Sequence, residues 1–488
     1  MSSTTNTHIR VMPALPTEPS LRPRPGPGPL DDEMIHLDRF PADFAWGLAT
    51  AAYQIEGAAN EGGRGPSIWD TFSHTTGNTK NDDTGDVACD HYHRWPADLD
   101  LLNQLGVSNY RLSVSWSRLQ PGGSGDLNPE GVAFYRTLLG GLREREIEPY
   151  VTLYHWDLPQ ELEDLGGWGE RETAFRFADF AARTVSALGD SASKWITLNE
   201  PWCSAFLGYG SGAHAPGRRD MNVAVRAAHH LNLAHGLATA AIRAIDPTAH
   251  IGVTNIVTDI VAASSLAGDQ AAAARLDAVS NLVFLEPIFH GKYSANVHAA
   301  LDQYGLRDAI EPEDLAIIHA PLDFAGINHY QRVIAHDDPS APFSVREVAA
   351  QPATTSFGWS VIPESMTAVL LRVAREFTSL PLYVTESGAS YHDYVDPNGD
   401  VIDTDRVAYL RGYIDAAGQA IAAGVNLKGY FVWSFLDNFE WGEGYSKRFG
   451  LVYVDYRTQA RIPKLSARWY TALIAAHRAL GARNSISA

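Results

Sequence analysis

The chain has 488 residues, 45% hydrophobic and 10% aromatic, enough apolar side chain to bury a full core. Its formal net charge of −19 repels phosphates at long range, which disfavours nucleic acid or an anionic membrane as partner and leaves a small neutral or cationic ligand. Two cysteines, Cys89 and Cys203, are too few for a disulfide framework or a cysteine-rich zinc centre, and they suit a reducing compartment.

Residues 1–38 are polar and then proline-rich, with Arg22-Pro23-Arg24-Pro25-Gly26-Pro27-Gly28-Pro29, and predict a flexible tail without the apolar core of a signal peptide. No run reaches the roughly 20 apolar residues needed to span a bilayer, so the cytoplasm is the expected compartment. From 39 to 488 the composition is even, which predicts one large domain. Short β-rich runs recur at 44–50, 109–113, 148–153, 194–199, 251–254, 322–328, 382–385 and 427–433. Helical stretches separate them, such as 95–105, closed by Gly106, and 129–145, opened by Asn128 with Pro129 at the first helical position. This alternation predicts an α/β fold of parallel strands, and eight repeats suit a closed (β/α)8 TIM barrel with extended loops at its C-terminal face. The pattern alone also admits an open sheet.

Arg111, His155, Asn199, Glu200, Asn328, Glu386 and Trp433 all fall at, or just beyond, the C-terminal end of an expected strand. In a TIM barrel that edge assembles the active site, so these side chains from different strands should converge on one pocket. Glu200 and Glu386 each end an apolar strand, where a carboxylate without a task or partner is costly. The competing explanation is a pair of buried salt bridges. Two facing carboxyl groups are what glycoside hydrolysis needs, one to protonate the leaving oxygen and one to attack the oxocarbenium-like centre.

Ordered motifs then accumulate. Phe44-Ala45-Trp46-Gly47, Tyr53-Gln54-Ile55-Glu56-Gly57, Tyr110-Arg111 with Ser115-Trp116, and Tyr154-His155-Trp156-Asp157-Leu158-Pro159 precede Thr197-Leu198-Asn199-Glu200-Pro201, and the run Trp433 to Trp441 closes the set. Together they resemble glycoside hydrolase family 1, the β-glucosidase family, from about residue 44 to 470. The resemblance implies a retaining β-glycosidase with Glu200 as acid/base and Glu386 as nucleophile, acting on a small β-glycoside without cofactor or metal. It implies that Arg111 and Tyr330 contact the nucleophile with Asn328 in support. Gln54, His155, Trp156, Asn199, Glu440, Trp441 and Phe449 would then bind the sugar over Trp433, and Cys203, Leu207, His214 and Trp359 would ring the leaving-group side. The motifs leave the oligomeric state open.

Two positions depart from the family pattern: Ser387 stands where Asn usually follows the nucleophile, and His329 where an aromatic usually follows Asn328. Ser387 bears on how the nucleophile is oriented, and His329 on polarity beside the pocket. In the branch acting on 6-phosphoglycosides, Ser and Tyr typically replace Glu440 and Phe449. A carboxylate at Glu440 repels a phosphate dianion, which favours an unphosphorylated sugar. A barrel that binds sugar without chemistry is the other class, and the presence of both glutamates argues against it.

Three further signals point elsewhere. Asp90-His91-Tyr92-His93 beside Cys89 lacks the spacing of a helical zinc motif. The segment 208–213 fits a dinucleotide pattern formally, but Pro216 interrupts any helix opening there, and a loop is expected. His229, His230 and His235 read as packed or partly exposed helix residues.

Overall fold

The computed structural model describes residues 35–350 and 354–487. The expected tail lies outside the described residues up to 34. Beyond that point Ile35 and Leu37 pack against the core and Leu37–Arg39 form a 3-10 turn, so residues 35–38 touch the folded body.

All eight expected strands form: β1 (Ala45–Ala49), β2 (Asn109–Ser113), β3 (Glu148–Tyr154), β4 (Lys194–Asn199), β5 (His250–Ile256), β6 (Phe324–Asn328), β7 (Leu382–Ser387) and β8 (Leu427–Trp433). Each pairs in parallel with its sequence neighbours and β8 pairs with β1, which closes the barrel and removes the open sheet. Helices connect them. α1 (His91–Gln104) starts a turn earlier than the sequence predicts, and α2 (Pro129–Glu144) begins where Asn128 accepts the backbone N–H of Glu130 at 3.3 Å.

Why the barrel is solid at its base follows from residue size. Tyr150, Phe324, Tyr383 and Phe431 meet there, with Tyr150 and Phe431 centroids 4.9 Å apart and Phe324 and Tyr383 5.4 Å apart. Glycines supply the room, since a β-carbon on Gly47 would lie 2.4 Å from the Phe431 ring and one on Gly252 2.4 Å from the Phe324 ring. Above this plug the interior turns polar. Arg111 Nε donates to Thr152 Oγ1 at 3.3 Å, Thr254 to Thr385 at 3.2 Å, and Thr385 to Asn328 Oδ1 at 2.7 Å.

In α3 (Met221–Ile245) the three histidines are buried. His229 bonds Asp314 and Tyr293, His230 the Trp168 carbonyl, and His235 Thr197. His91 likewise bonds Asp98, and His93 bonds Asp90 and Glu61. After β5 and β6 the chain makes an excursion from the barrel. Short strands Asp259–Ala262, Arg332–Asp337 and Val345–Ala349 form a separate sheet, and α4 (Ala267–Asp277) packs on it through Ala272 and Leu276 against Val333, Ala335 and Val345. The segment 208–213 is not the expected loop: Cys203–Ser211 is π-helical, and the turn ends at Gly212 with φ 71°. Pro216 falls beyond that end, so it leaves the helix intact.

Candidate active site

The strands that carry the two carboxylates lose regular pairing just before them. β4 slips register against β5 between Ile196 and Asn199, and β7 slips against β6 between Val384 and Glu386. Such irregularities re-aim side chains at barrel rims. Three residues here have left-handed backbone, Glu200 (φ 43°), Trp156 (φ 81°) and Trp441 (φ 51°), at a cost of about 1–2 kcal/mol each for a side chain with a Cβ. Bonds hold them in place. Glu200 N donates to Thr254 O at 2.9 Å, and Trp156 Nε1 to Asn199 O at 2.8 Å.

Glu386 is clamped on both oxygens. Arg111 Nη1 donates to Oε1, and the Tyr330 phenol donates to Oε2 at 2.7 Å. Burial pushes the Tyr330 hydroxyl well above its ordinary range, with the nearby Glu386 charge adding to it, so it stays a donor. Arg111 Nη2 also reaches Asn199 Oδ1 at 2.6 Å, and Asn328 Nδ2 donates to the same oxygen at 3.1 Å. With its oxygen taken by two donors, Asn199 must donate through Nδ2 to His155 Nε2, 2.9 Å away. His155 is neutral, because burial and then Arg111 hold its pKa well below the ordinary value. Its proton therefore sits on Nδ1, which has no partner among the described residues. One arginine thus fixes an amide, and the amide fixes a tautomer.

Glu200 is the opposite case. Burial first, and then the Glu386 charge, raise its carboxyl to about 7, against the lowering effect of Asn328, Cys203 and Arg111. Asn328 Nδ2 donates to Oε1 at 2.6 Å and the Cys203 thiol to Oε2 at 3.1 Å. Glu440 is raised to about 8, by burial and then by Glu386 and Glu200. Glu200 and Glu440 therefore hold their protons more tightly than free carboxyl groups do. Gln54 stands behind Glu440: its Nε2 donates to Phe439 O at 2.9 Å and Asn438 Oδ1 at 3.1 Å, leaving Oε1 an unused acceptor.

These groups surround one cavity of about 310 Å³. Its lining includes Glu200, Glu386, His155, Trp156, Tyr330, Trp433, Glu440, Trp441 and Phe449, and also Cys203, Leu207, His214 and Trp359. Arg111, Asn199, Asn328 and Gln54 adjoin it, each bonded to a lining residue. Burial lowers His214 to about 4, so it lines the cavity uncharged. Trp202 and Phe357 also line it and were not anticipated, although they neighbour Pro201 and Trp359 in sequence. Neither departure from the family pattern reaches the cavity. His329 turns away to bond Val257 O at 2.8 Å and Ser365 at 2.7 Å, and the Ser387 hydroxyl faces Tyr409 at 3.5 Å. Among the described residues no cluster of three His, Cys, Asp or Glu is arranged to hold a metal ion, and no helix is long and apolar enough to cross a membrane.

Comparison with known proteins agrees with this architecture. Residues 36–479 match the model of glycosyl hydrolase family 1. The chain is 45% identical over 441 residues to "Beta-glucosidase A" of Thermotoga maritima, covering 90% of this chain and 98% of that one. It is 45% identical over 461 residues to a "Bifunctional beta-D-glucosidase/beta-D-fucosidase" of Bifidobacterium breve, covering 90% and 99%. A solved Thermotoga maritima β-glucosidase in complex with deoxynojirimycin superimposes with a TM-score of 0.88 at 44% identity, covering 90% of this chain and 99% of that chain. With the closed barrel, the paired carboxyl groups at its C-terminal rim and these likenesses in hand, the chain belongs to glycosyl hydrolase family 1.

Proposed function

We propose that the protein is a retaining β-glucosidase that removes non-reducing-end glucosyl units from β-glucosides and short cello-oligosaccharides. The observation that carries this is the unequal treatment of two carboxyl groups on one cavity. Glu386 is gripped by a guanidinium and a phenol, whereas Glu200 is raised to about 7 by burial and by its neighbour's charge. The first suits a nucleophile and the second a general acid at neutral pH.

In the first step Glu386 attacks the anomeric carbon while Glu200 gives its proton to the leaving oxygen. The glycosidic bond breaks and a glycosyl ester forms on Glu386. Ester formation removes the Glu386 charge, and with it part of what raised Glu200. Glu200 then takes a proton from water, which attacks the same carbon and releases sugar with β configuration. Around the ring, the Nδ1–H of His155 donates, the Oε1 of Gln54 and the Glu440 carboxyl accept, and Asn199 faces the 2-hydroxyl. The curated relatives with glucosidase names support glucose as the sugar, and Glu440 supports one without phosphate. Two buried free thiols, Cys89 and Cys203, support a reducing cytoplasm as its compartment.

Azide separates the two roles. Glu386→Ala should lose nearly all turnover, and azide entering the vacated space should displace an activated leaving group to give the α-azide. Glu200→Ala should still form the glycosyl ester from substrates with good leaving groups, and azide should then give the β-azide. The same anomer from both variants, or ordinary activity in Glu386→Ala, overturns the assignment.

A further inference from the structure

Glu440 and Phe449 both line the cavity, and one buried carboxylate holds the backbone that carries them. The Glu440 carboxyl has a single hydrogen-bond contact among the described residues, 3.5 Å from Gln54 Nε2, at the outer limit of such a bond. Its position therefore follows from the segment on which it sits. That segment leaves β8 and runs beside residues 449–452: Leu451 N donates to Ser434 O at 2.9 Å, Val452 N to Phe435 O at 3.0 Å, and Asp437 N to Val452 O at 2.9 Å. The approach is close. A β-carbon on Gly450 would lie 2.0 Å from Asp437 N, so only glycine fits there.

Asp437 grips the residue on either side of Phe449. Its Oδ1 accepts the backbone N–H of Gly450 at 2.9 Å, and its Oδ2 accepts Arg448 Nη1 at 2.7 Å. Towards Glu440 the chain is tied to Gln54, whose Nε2 donates to Asn438 Oδ1 at 3.1 Å and whose carbonyl accepts Phe439 N at 3.2 Å. The third donor to Asp437 is Lys464, whose Nζ reaches Oδ1 at 2.7 Å and Asp393 Oδ2 at 2.5 Å. Arg406 pairs with Asp393 and Asp403, so three cations meet three carboxylates. Asp437 and Lys464 are fully buried. Replacing such a network by apolar side chains of equal volume is often neutral or stabilising, so stability does not account for it. Charged hydrogen bonds fix distance and angle, which apolar contact does not.

We propose that Asp437 is a positioning residue for the hydrolysis: it lies outside the cavity lining and sets Glu440 against Phe449 by holding the backbone beneath both. This rests on the β-glucosidase assignment above. The test is a double-mutant cycle on kcat/KM for 4-nitrophenyl β-glucoside, with Asp437→Asn, Glu440→Gln and the pair, assayed well below each thermal midpoint. A shift of about 1 Å caused by a change away from the chemistry can cost about a hundredfold. Asp437→Asn should therefore lose roughly twentyfold on its own, and no more than about fourfold on top of Glu440→Gln. A contribution to folding alone would lower the thermal midpoint and give the same loss in both backgrounds. Arg448→Met removes one donor at the edge of the network and decides the matter if Asp437→Asn does not fold. It should show the same coupling to Glu440→Gln, and Arg448→Lys, which keeps the charge, should recover part of its loss. Equal fold-losses in the two backgrounds, or no loss in Asp437→Asn, overturn the positioning role and leave the glucosidase assignment standing. A wild-type enzyme that leaves 4-nitrophenyl β-glucoside and cellobiose intact overturns the assignment, and the role with it.

Discussion

Cys203 donates its thiol to Oε2 of Glu200 at 3.1 Å, while Asn328 donates to Oε1 at 2.6 Å. Burial, and then the Glu200 charge, push the thiol well above its ordinary range, so it remains a donor. A donor favours the charged carboxylate and thereby holds Glu200 lower than burial alone would. A general acid is active while protonated and fails as pH rises past its pKa. Cys203→Ala should therefore shift the basic limb of the kcat/KM profile to higher pH. A profile that stays in place, or moves down, shows that the thiol contact does not act on Glu200.

Glu440 lines the cavity beside Trp441 and stands against Gln54 at 3.5 Å. Glu440→Ser removes a carboxyl group that would take one or two sugar hydroxyls. A fall of roughly a hundredfold in kcat/KM for a simple β-glucoside is expected, the worth of about two hydrogen bonds to a buried carboxyl group. Retention within a few-fold would remove Glu440 from the sugar site.

Asp157 follows Trp156 into the interior, where its carboxyl is fully buried and weakly hydrogen-bonded among the described residues. Burial raises it from 3.8 to about 8, and the charge of Arg64 offsets only part of that. An acid whose folded pKa exceeds its unfolded one binds its proton more tightly when folded. That contribution is whole below about pH 4 and drains away as pH climbs towards 8. Asp157→Asn carries no such proton, so its thermal midpoint should gain on the wild type as pH rises from 5 to 8. A constant difference across that range would mean that Asp157 is ionised throughout.

Residues 1–34 are rich in proline and poor in apolar surface. Their deletion should leave thermal midpoint and turnover almost unchanged. A large fall in either would give the segment a part in the folded body or the site.

What the sequence alone determined was the strand series and the two carboxylates that end it. A buried strand is a short-range signal: a few apolar residues between turns and helices, with a polar residue at the end that makes no sense in a core. Hence β2, β4 and β8 were legible to the residue, and Glu200 and Glu386 stood out before any coordinates. The family motifs then pointed to Arg111, Tyr330 and the leaving-group residues, all of which the fold brings to the cavity or just behind it.

Tertiary structure decided the rest, because it depends on residues far apart in the chain. The left-handed backbone at Trp156 and Glu200 is held by partners from other strands, and Trp441 packs against the rings of Trp69 and Trp156; no local pattern predicts a tryptophan in that backbone region. The His155 tautomer follows from Arg111 through Asn199, a relay across three strands. The π-helical turn at Cys203–Ser211 was hidden by glycines that suggest a loop. The directions of His329 and Ser387 depended on which neighbours waited outside the barrel, and the outward bonds to Ser365 and Tyr409 keep both away from the cavity. The part of the cavity wall made by Leu276 and Val333 depends on α4 and three short strands, none with a motif of its own, which close on each other through packing rather than pattern.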